Sequence, residues 1–249
     1  MLRSFGEGLM FGSTFGGASP KVLALHGWAR THRDFNPVLS SEHGTAIDAV
    51  AVDLPGFGSS PPPPEPWSTD RYAEALGAVT AQMDAPIVVL GHSFGGRIAV
   101  RLAASAPELV SALVLTGVPL VRLVERPRVP SAFRAAKGLE RIGLLSQARL
   151  ERLRRRYGSS DYANANGVMR DVLVRIVNET YDESLGALRC PVTLVWGEDD
   201  AVAPLAVARA AADFLGRSRL VVVPRAGHLT PLSAPEALRV AVLELLGGR

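Results

Sequence analysis

The sequence predicts an α/β protein with a mostly parallel central sheet, helices on both faces of the sheet and a helical cap inserted into the chain. Short apolar runs alternate with segments of helical spacing along most of the 249 residues. The runs are continuously apolar, as expected for strands that are covered on both faces. From residue 118 to residue 188 the alternation stops and only helical patterns remain. We therefore expect a core formed by 1–117 and 189–249, with 118–188 as the cap.

The predicted elements of the core follow one another in the order that a parallel sheet requires. Strands are expected at 22–25, 46–52, 87–90, 112–115, 192–196 and 220–223. Helices are expected near 34–39, 69–83, 94–106, 205–215 and 235–246. The last helix has a plausible start, because Pro235 is tolerated in a first helical turn.

Two helices are predicted inside the cap. The first would begin at Ser146 and end at Gly158, with Leu150, Leu153 and Tyr157 as its apolar stripe. The second carries five apolar residues at helical spacing, namely Val168, Met169, Val172, Leu173 and Ile176.

Composition favours a single enzyme-like domain without a membrane span. Hydrophobic residues make up 47% of the chain and charged residues 20%, and no apolar run approaches the roughly 20 residues that a span needs. Glycines interrupt residues 1–20, so no signal peptide is expected and a cytoplasmic location is predicted. Cys190 is the only cysteine. An internal disulfide is thereby excluded, and a small packing residue is the favoured interpretation.

The positive charge is concentrated in the predicted cap. The formal net charge is +3, yet residues 118–189 carry 14 Lys and Arg against 8 Asp and Glu. Arg152, Arg154, Arg155 and Arg156 form its densest cluster. A solvated helix face is the favoured interpretation, and the alternative is a site for an anionic substrate, an acyl carrier or an anionic membrane surface. No segment is typical of a nucleic-acid-binding module.

The most informative segment is Gly91-His92-Ser93-Phe94-Gly95, which lies between an apolar run and a helical segment. A serine at the apex of a sharp strand-to-helix turn is held in a strained conformation, and the flanking glycines let the helix pack close to the strand. The turn also points the first N–H groups of the helix at charge that develops beside the serine oxygen. The segment therefore predicts a nucleophile elbow.

A base and an acid are available just past later strands. A serine hydroxyl needs a base within hydrogen-bond reach before it can attack a carbonyl. His228 follows the last predicted strand, and Asp200 follows the strand before it. The other four histidines, His26, His32, His43 and His92, are interpreted as turn or surface residues.

Five segments resemble the α/β-hydrolase superfamily, in the family's order and over nearly the whole chain. They are LALHGW (23–28), AVDLPGFGSS (51–60), VVLGHSFGG (88–96), VTLVWGEDDAVAP (192–204) and PRAGHLTP (224–231). Four of them are typical of the cap-bearing serine hydrolase and esterase branch. The order Ser, Asp, His along the chain is also that of the family. The resemblance implies an α/β-hydrolase fold whose cap covers the site and selects the substrate.

The same resemblance implies a catalytic role for three residues. Ser93 would attack, His228 would move the proton and Asp200 would orient His228. The family's spacing of Gly, Asp and Pro is met by Gly197, Asp200 and Pro204. The neighbouring acids Glu198 and Asp199 are interpreted as caps of the helix that starts near Pro204.

The resemblance also assigns an oxyanion hole to the backbone N–H groups of Trp28 and Phe94. Their aromatic side chains are predicted to bind substrate, with core packing as the alternative. The glycine-containing segment 53–60 has neither the spacing nor the lysine of a phosphate loop, so we interpret it as a turn beside the active site. Neither a metal nor an organic cofactor is expected.

The predicted function is hydrolysis of a carboxylic ester or a related acyl compound through an acyl-enzyme. Carbon–carbon bond hydrolases, lactonases, thioesterases and acyltransferases of this fold use the same groups, so sequence order leaves them open. A further alternative is a ligand receptor on a hydrolase scaffold with slow turnover.

Overall fold

The computed structural model describes residues 2–40, 44–123 and 160–247, and the elements numbered below belong to these ranges. Their centre is an eight-stranded sheet in the order β1-β2-β4-β3-β5-β6-β7-β8. Its strands are β1 (Leu2–Phe5), β2 (Met10–Phe15), β3 (Val22–Leu25), β4 (Ala49–Asp53), β5 (Ile87–His92), β6 (Val110–Thr116), β7 (Val192–Gly197) and β8 (Ser218–Val223). Strands β3 to β8 are parallel, and β1 and β2 are antiparallel. The six predicted strands and the mostly parallel sheet are confirmed.

The β1–β2 hairpin was not predicted. Its strands contain Arg3, Ser4, Gly12 and Ser13 instead of a continuous apolar run. Strand β2 pairs with β4 through close backbone contact, because a Cβ at Gly12 would lie 2.9 Å from the Cα of Val52. Polar residues and glycine are tolerated here because the pairing is antiparallel and lies at the sheet's edge.

The helices described are α1 (Asn36–Leu39), α2 (Thr69–Ala75), α3 (Gly77–Thr80), α4 (Phe94–Ser105), α5 (Ser160–Asn164), α6 (Gly167–Ile176), α7 (Asp182–Ala187), α8 (Leu205–Phe214), α9 (Thr230–Ser233) and α10 (Pro235–Gly247). A 3-10 helix, His32–Phe35, precedes α1. The single helix predicted over 69–83 is wrong, since it ends at Ala75 and a short helix restarts at Gly77. Glycine is a poor residue for a helix interior, which accounts for the break. The predicted start at Pro235 is confirmed.

Buried residues form one cluster on each face of the sheet. Leu23 and Leu25 of β3 face the cluster that contains α2 and α4. Val22 and Ala24 of the same strand face the opposite cluster, which contains α1 and α10. Successive side chains of a strand point to opposite faces, so both faces must be apolar.

The chain between β6 and β7 contains α5, α6 and α7 and no strand in its described residues, 117–123 and 160–191. The second helix predicted within 118–188 is confirmed as α6. The first, starting at Ser146, and the arginine cluster at 152–156 lie outside the described residues. No helix among the described residues is long and apolar enough to cross a membrane.

Hydrogen bonds join this segment to helices of the core. Arg101 of α4 donates to the Ser184 hydroxyl at 2.6 Å and to the Thr180 carbonyl at 2.9 Å. The backbone N–H of Thr69, at the start of α2, donates to the Glu179 carboxylate at 3.2 Å, and the Thr69 hydroxyl donates to the same carboxylate. Helices α2 and α4 are therefore hydrogen-bonded to residues 179–184, near the C-terminal end of the 117–191 segment.

The turn between β5 and α4 depends on two glycines. A Cβ at Gly91 would lie 2.5 Å from the Cα of Gly96, and a Cβ at Gly95 would overlap the backbone carbonyl of Leu25. Side chains never approach backbone atoms so closely, so helix α4 packs against β3 and β5 at a distance that only glycine permits.

We expect Gly95→Ala to lower the free energy of unfolding by about 3 kcal/mol, because the new methyl group must push α4 away from β3. Urea unfolding followed by circular dichroism measures the loss. Gly77→Ala is the matched control, since a Cβ at Gly77 meets no atom within 4 Å. We expect that control to change stability by no more than about 1 kcal/mol, in the stabilising direction. Equal effects of the two changes would contradict the packing argument.

Candidate active site

Ser93 occupies the apex of the turn between β5 and α4. Its backbone has φ 49° and ψ −110°, a region in which a non-glycine residue is strained. The Ser93 N–H donates to the Thr116 carbonyl at 2.9 Å, which ties the turn to the end of β6. The residue is partly exposed. The strain predicted from the sequence is therefore present at this serine.

His228 and Asp200 form a hydrogen-bonded pair at the ends of β8 and β7. His228 Nδ1 lies 2.8 Å from Asp200 Oδ2. The other carboxylate oxygen, Oδ1, accepts hydrogen bonds from the N–H groups of Val202 at 2.9 Å and Ala203 at 2.8 Å. The Asp200 side chain is fully buried, whereas 17% of the His228 side chain is exposed.

Hydrogen bonds keep Asp200 ionised in its buried position. Burial by itself raises the pKa of Asp200, but the hydrogen bonds from His228, Ala203 and Val202 outweigh it and lower the pKa below the usual value for aspartate. The carboxylate therefore accepts the proton on His228 Nδ1, and this tautomer leaves Nε2 as the basic nitrogen.

The end of β6 connects this pair with Ser93. A Cβ at Gly117 would lie 2.9 Å from His228 Cε1 and 3.3 Å from Asp200 Oδ2. The preceding residue, Thr116, accepts the hydrogen bond from the Ser93 N–H. One two-residue segment thus contacts the serine turn and both members of the pair. Ser93, Asp200 and His228 therefore all lie around the end of β6.

Neither the backbone N–H of Trp28 nor that of Phe94 has an acceptor among the described residues. Phe94 is the first residue of α4, where an N–H has no partner within its own helix. Gly27 lies against the serine, since its Cβ would be 3.4 Å from the Cβ of Ser93. The N–H of Gly95 donates to the His26 carbonyl at 3.0 Å and fixes the two loops to each other.

His26 supports the loop that carries Gly27 and Trp28. Its Nδ1 lies 2.7 Å from the Gly27 carbonyl, and its Nε2 accepts the Leu54 N–H at 2.9 Å. Burial lowers the pKa of His26 to about 4, so the ring is neutral near pH 7 and carries its proton on Nδ1.

The segment 53–60 is a turn beside the site, as predicted, and a carboxylate organises it. Asp53 Oδ1 accepts from the His32 N–H and from His32 Nδ1, each at 2.8 Å, and Oδ2 accepts from the Ser59 N–H at 2.8 Å. The Ser60 hydroxyl donates to the Asp53 carbonyl at 2.6 Å. Burial alone raises the pKa of Asp53, but the hydrogen bonds from His32 and Ser59 lower it below the usual value.

This lowered pKa predicts acid sensitivity. A carboxyl group with a depressed folded-state pKa stabilises the fold above its unfolded pKa of about 3.9, and that contribution is lost as the pH falls through the folded pKa. We expect the free energy of unfolding of the wild type to fall more steeply between about pH 5 and pH 2 than that of Asp53→Asn. Urea unfolding at each pH tests this. Asp84→Asn, at a carboxylate that is 56% exposed, should keep the wild-type slope.

Aromatic rings form one wall of the site. Trp28 packs edge to face on Phe57 at 4.9 Å and on Phe94 at 5.5 Å between ring centroids, and Phe94 packs on Tyr72 at 5.2 Å. Phe94 is only 3% exposed, whereas Trp28 is partly exposed. Of the two aromatic side chains predicted to bind substrate, Phe94 lies in the core and Trp28 presents surface at the site.

Several sequence-based interpretations of single residues are wrong. His26, His32 and His92 are 0%, 5% and 1% exposed and are not surface residues. Each is buried because it makes a specific hydrogen bond, which residue type alone did not reveal. His43 lies outside the described residues.

The capping role of the two acids beside Asp200 is also wrong. Helix α8 begins after Pro204 without a side-chain cap, and Glu198 and Asp199 are exposed. Asp200 itself bonds the N–H groups of Val202 and Ala203 in that loop. Cys190 is partly buried against the core, in keeping with a packing role.

Comparison with known proteins places these features in context. A family model described as the alpha/beta hydrolase family matches residues 22–241. A pimeloyl-[acyl-carrier protein] methyl ester esterase of Neisseria meningitidis is 28% identical, with 93% of this chain and 95% of that protein covered. Esterase Rv0045c of Mycobacterium tuberculosis is 30% identical, with 94% and 85% covered. The solved structure of a thermophilic esterase from Thermogutta terrifontis superposes with a TM-score of 0.70 at 22% identity and covers 100% of this chain and 98% of that one.

Proposed function

This chain belongs to the alpha/beta hydrolase family, and on that premise we propose that it is a serine hydrolase that cleaves carboxylic esters. Its nucleophile is Ser93, its general base is His228 and its orienting acid is Asp200. The observation that carries the proposal is the buried Asp200 carboxylate bonded to His228 Nδ1 at 2.8 Å beside a strained serine. Ester hydrolysis is further supported by the relatives named esterase, which match more than nine tenths of the chain.

The reaction begins with transfer of the Ser93 hydroxyl proton to His228 Nε2 as the serine oxygen attacks the ester carbonyl. The imidazolium that forms is stabilised by the Asp200 carboxylate. His228 then gives the proton to the departing alcohol oxygen, and an acyl-enzyme remains on Ser93. Water, deprotonated by His228, attacks the acyl carbon. His228 then returns this proton to the Ser93 oxygen as its bond to the acyl carbon breaks, which releases the carboxylic acid and regenerates the enzyme.

The oxyanion of each tetrahedral intermediate is bound by the N–H groups of Trp28 and Phe94. Neither N–H has an acceptor among the residues that the structure describes, which supports this assignment, because backbone N–H groups inside a folded protein are otherwise nearly always paired. Such donors typically contribute about 3 kcal/mol each to the transition state. The partly exposed ring of Trp28, which packs edge to face on Phe94, binds the substrate beside the serine.

The segment that the sequence predicts as a cap selects the substrate, and its described residues, 118–123 and 160–188, support this role. Support comes from Met169 of α6, whose side chain occupies the space that a Cβ at Gly56 would need. Gly56 belongs to the turn beside the active site, so α6 lies against the same turn that Asp53 organises.

A methyl ester carried on an acyl carrier protein is a second candidate substrate. The relative from Neisseria is named for that activity, and residues 118–189 carry an excess of six positive charges (14 against 8). The phosphate of an acyl carrier is anionic, so the positive charges of this segment would attract it, and the attraction would weaken with added salt.

Hydrolysis of p-nitrophenyl esters from acetate to long acyl chains tests the main proposal. We expect multiple turnovers well above background, with a chain-length profile that reports the size of the acyl pocket. Tight binding of one ligand with a single turnover would instead favour a receptor. Methyl esters of the same acids, free and attached to an acyl carrier protein, test the second candidate, since salt should slow only the carrier-bound substrate.

A further inference from the structure

His92 is a buried polar residue at the centre of the site that has no role in the reaction described above. It immediately precedes Ser93 as the last residue of β5 and is 1% exposed. Its Nε2 lies 3.0 Å from the backbone carbonyl of His228, and the two imidazole rings are 5.0 Å apart between centroids. The residue beside the nucleophile therefore contacts the residue assigned as the base.

The hydrogen bond determines the tautomer of this ring. A carbonyl oxygen only accepts, so His92 Nε2 carries the proton and donates a hydrogen bond to the His228 carbonyl oxygen. Its Nδ1 is then an acceptor, and this buried atom has no partner among the described residues. Burial lowers the pKa of His92 to about 4, and the nearby His228 acts in the same direction. The ring is thus neutral near pH 7 and adds no charge beside His228.

The other edge of the ring contacts the loop of the oxyanion hole. A Cβ at Gly27 would lie 2.8 Å from His92 Nδ1 and 3.0 Å from Cε1. The imidazole therefore fills the space between the Gly27 loop and the His228 loop. The ring forms a hydrogen bond to the His228 loop and packs against the Gly27 loop.

Resting on the proposed serine-hydrolase function, we propose that His92 is a positioning residue that fixes the backbone of His228 relative to Ser93. The Nε2–H of His92 holds the His228 carbonyl, and its ring sets the separation between the base and the oxyanion donors. Because a misplacement of about 1 Å can cost about 10²-fold in rate, losing this contact should lower kcat while leaving substrate binding largely intact.

Two variants separate the hydrogen bond from the space that the ring fills. His92→Gln places an amide NH₂ the same number of bonds from the backbone as Nε2 and retains the donor. His92→Met has a similar length but no donor. We expect kcat of His92→Met to fall about 10- to 100-fold with KM within about twofold of wild type, and His92→Gln to regain most of the lost rate. Thermal unfolding of both variants shows whether the fold is retained.

Equal losses in the Gln and Met variants, or no loss in either, would overturn the proposal. A readout that does not depend on ester turnover is the downfield NMR signal of the proton between His228 Nδ1 and Asp200. The signal should persist in wild type and His92→Gln, and should broaden by faster exchange with water in His92→Met. If wild type hydrolyses no ester, the proposed function fails, while this signal still tests whether His92 positions His228. An unchanged signal in His92→Met would refute the positioning role.

Discussion

Replacing Ser93 with alanine is expected to lower kcat/KM for the best p-nitrophenyl ester about 10⁴-fold or more. In the proposed mechanism the change removes the atom that forms the covalent intermediate, and the proposed oxyanion donors can then at most assist direct attack by water. The proposed oxyanion donors and the ring of Trp28 are unchanged in this variant, so binding of a non-reactive substrate analogue should change little. Steady-state kinetics and calorimetric binding of such an analogue measure the two effects separately.

The matched control is Ser105→Ala, at the exposed end of the same helix, where the hydroxyl donates to the Leu102 carbonyl. It should keep wild-type activity. A fluorophosphonate probe should label wild type and Ser105→Ala, but not Ser93→Ala. Retention of more than about a tenth of the activity in Ser93→Ala would exclude a serine nucleophile at this position.

The placement of the candidate site was predictable because it follows from sheet topology. Ser93, Asp200 and His228 each follow a strand of the parallel sheet, and the carboxyl ends of such strands meet at one edge. Their location at one edge of the sheet can therefore be predicted from the order of the strands, without knowledge of side-chain contacts. The glycines around Ser93 were equally informative, since Gly91 and Gly95 are required by backbone contacts that the motif already implies.

The surroundings of the site could not be predicted in the same way. His26, His32 and His92 were interpreted as turn or surface residues, yet each is buried with a partner distant in sequence: Leu54, Asp53 and His228 respectively. Such pairs depend on how loops that follow different strands meet in the fold. The local sequence around each histidine does not indicate these contacts. The β1–β2 hairpin was missed for a related reason, because an edge pairing does not require an apolar sequence.

Asp200→Asn is expected to lower kcat about 10⁴-fold although it only replaces one carboxylate oxygen with an NH₂ group. The reason lies in the hydrogen bonds of the loop. Oδ1 of Asp200 accepts from the N–H groups of Val202 and Ala203, so an asparagine must keep its oxygen there and turn its NH₂ toward His228. The NH₂ donates, and His228 Nδ1 must then accept.

That reversal moves the His228 proton to Nε2, the nitrogen that should receive the proton from Ser93. The base is then already protonated where it has to act, and the imidazolium loses its stabilising carboxylate. Asp199→Asn is the matched control, because Asp199 is exposed and its change should leave kcat within about twofold of wild type. Steady-state kinetics on the same ester measures both variants, and NMR of the His228 ring nitrogens reports the tautomer directly. An Asp200→Asn enzyme within tenfold of wild type, with its proton still on Nδ1, would show that another group orients the base.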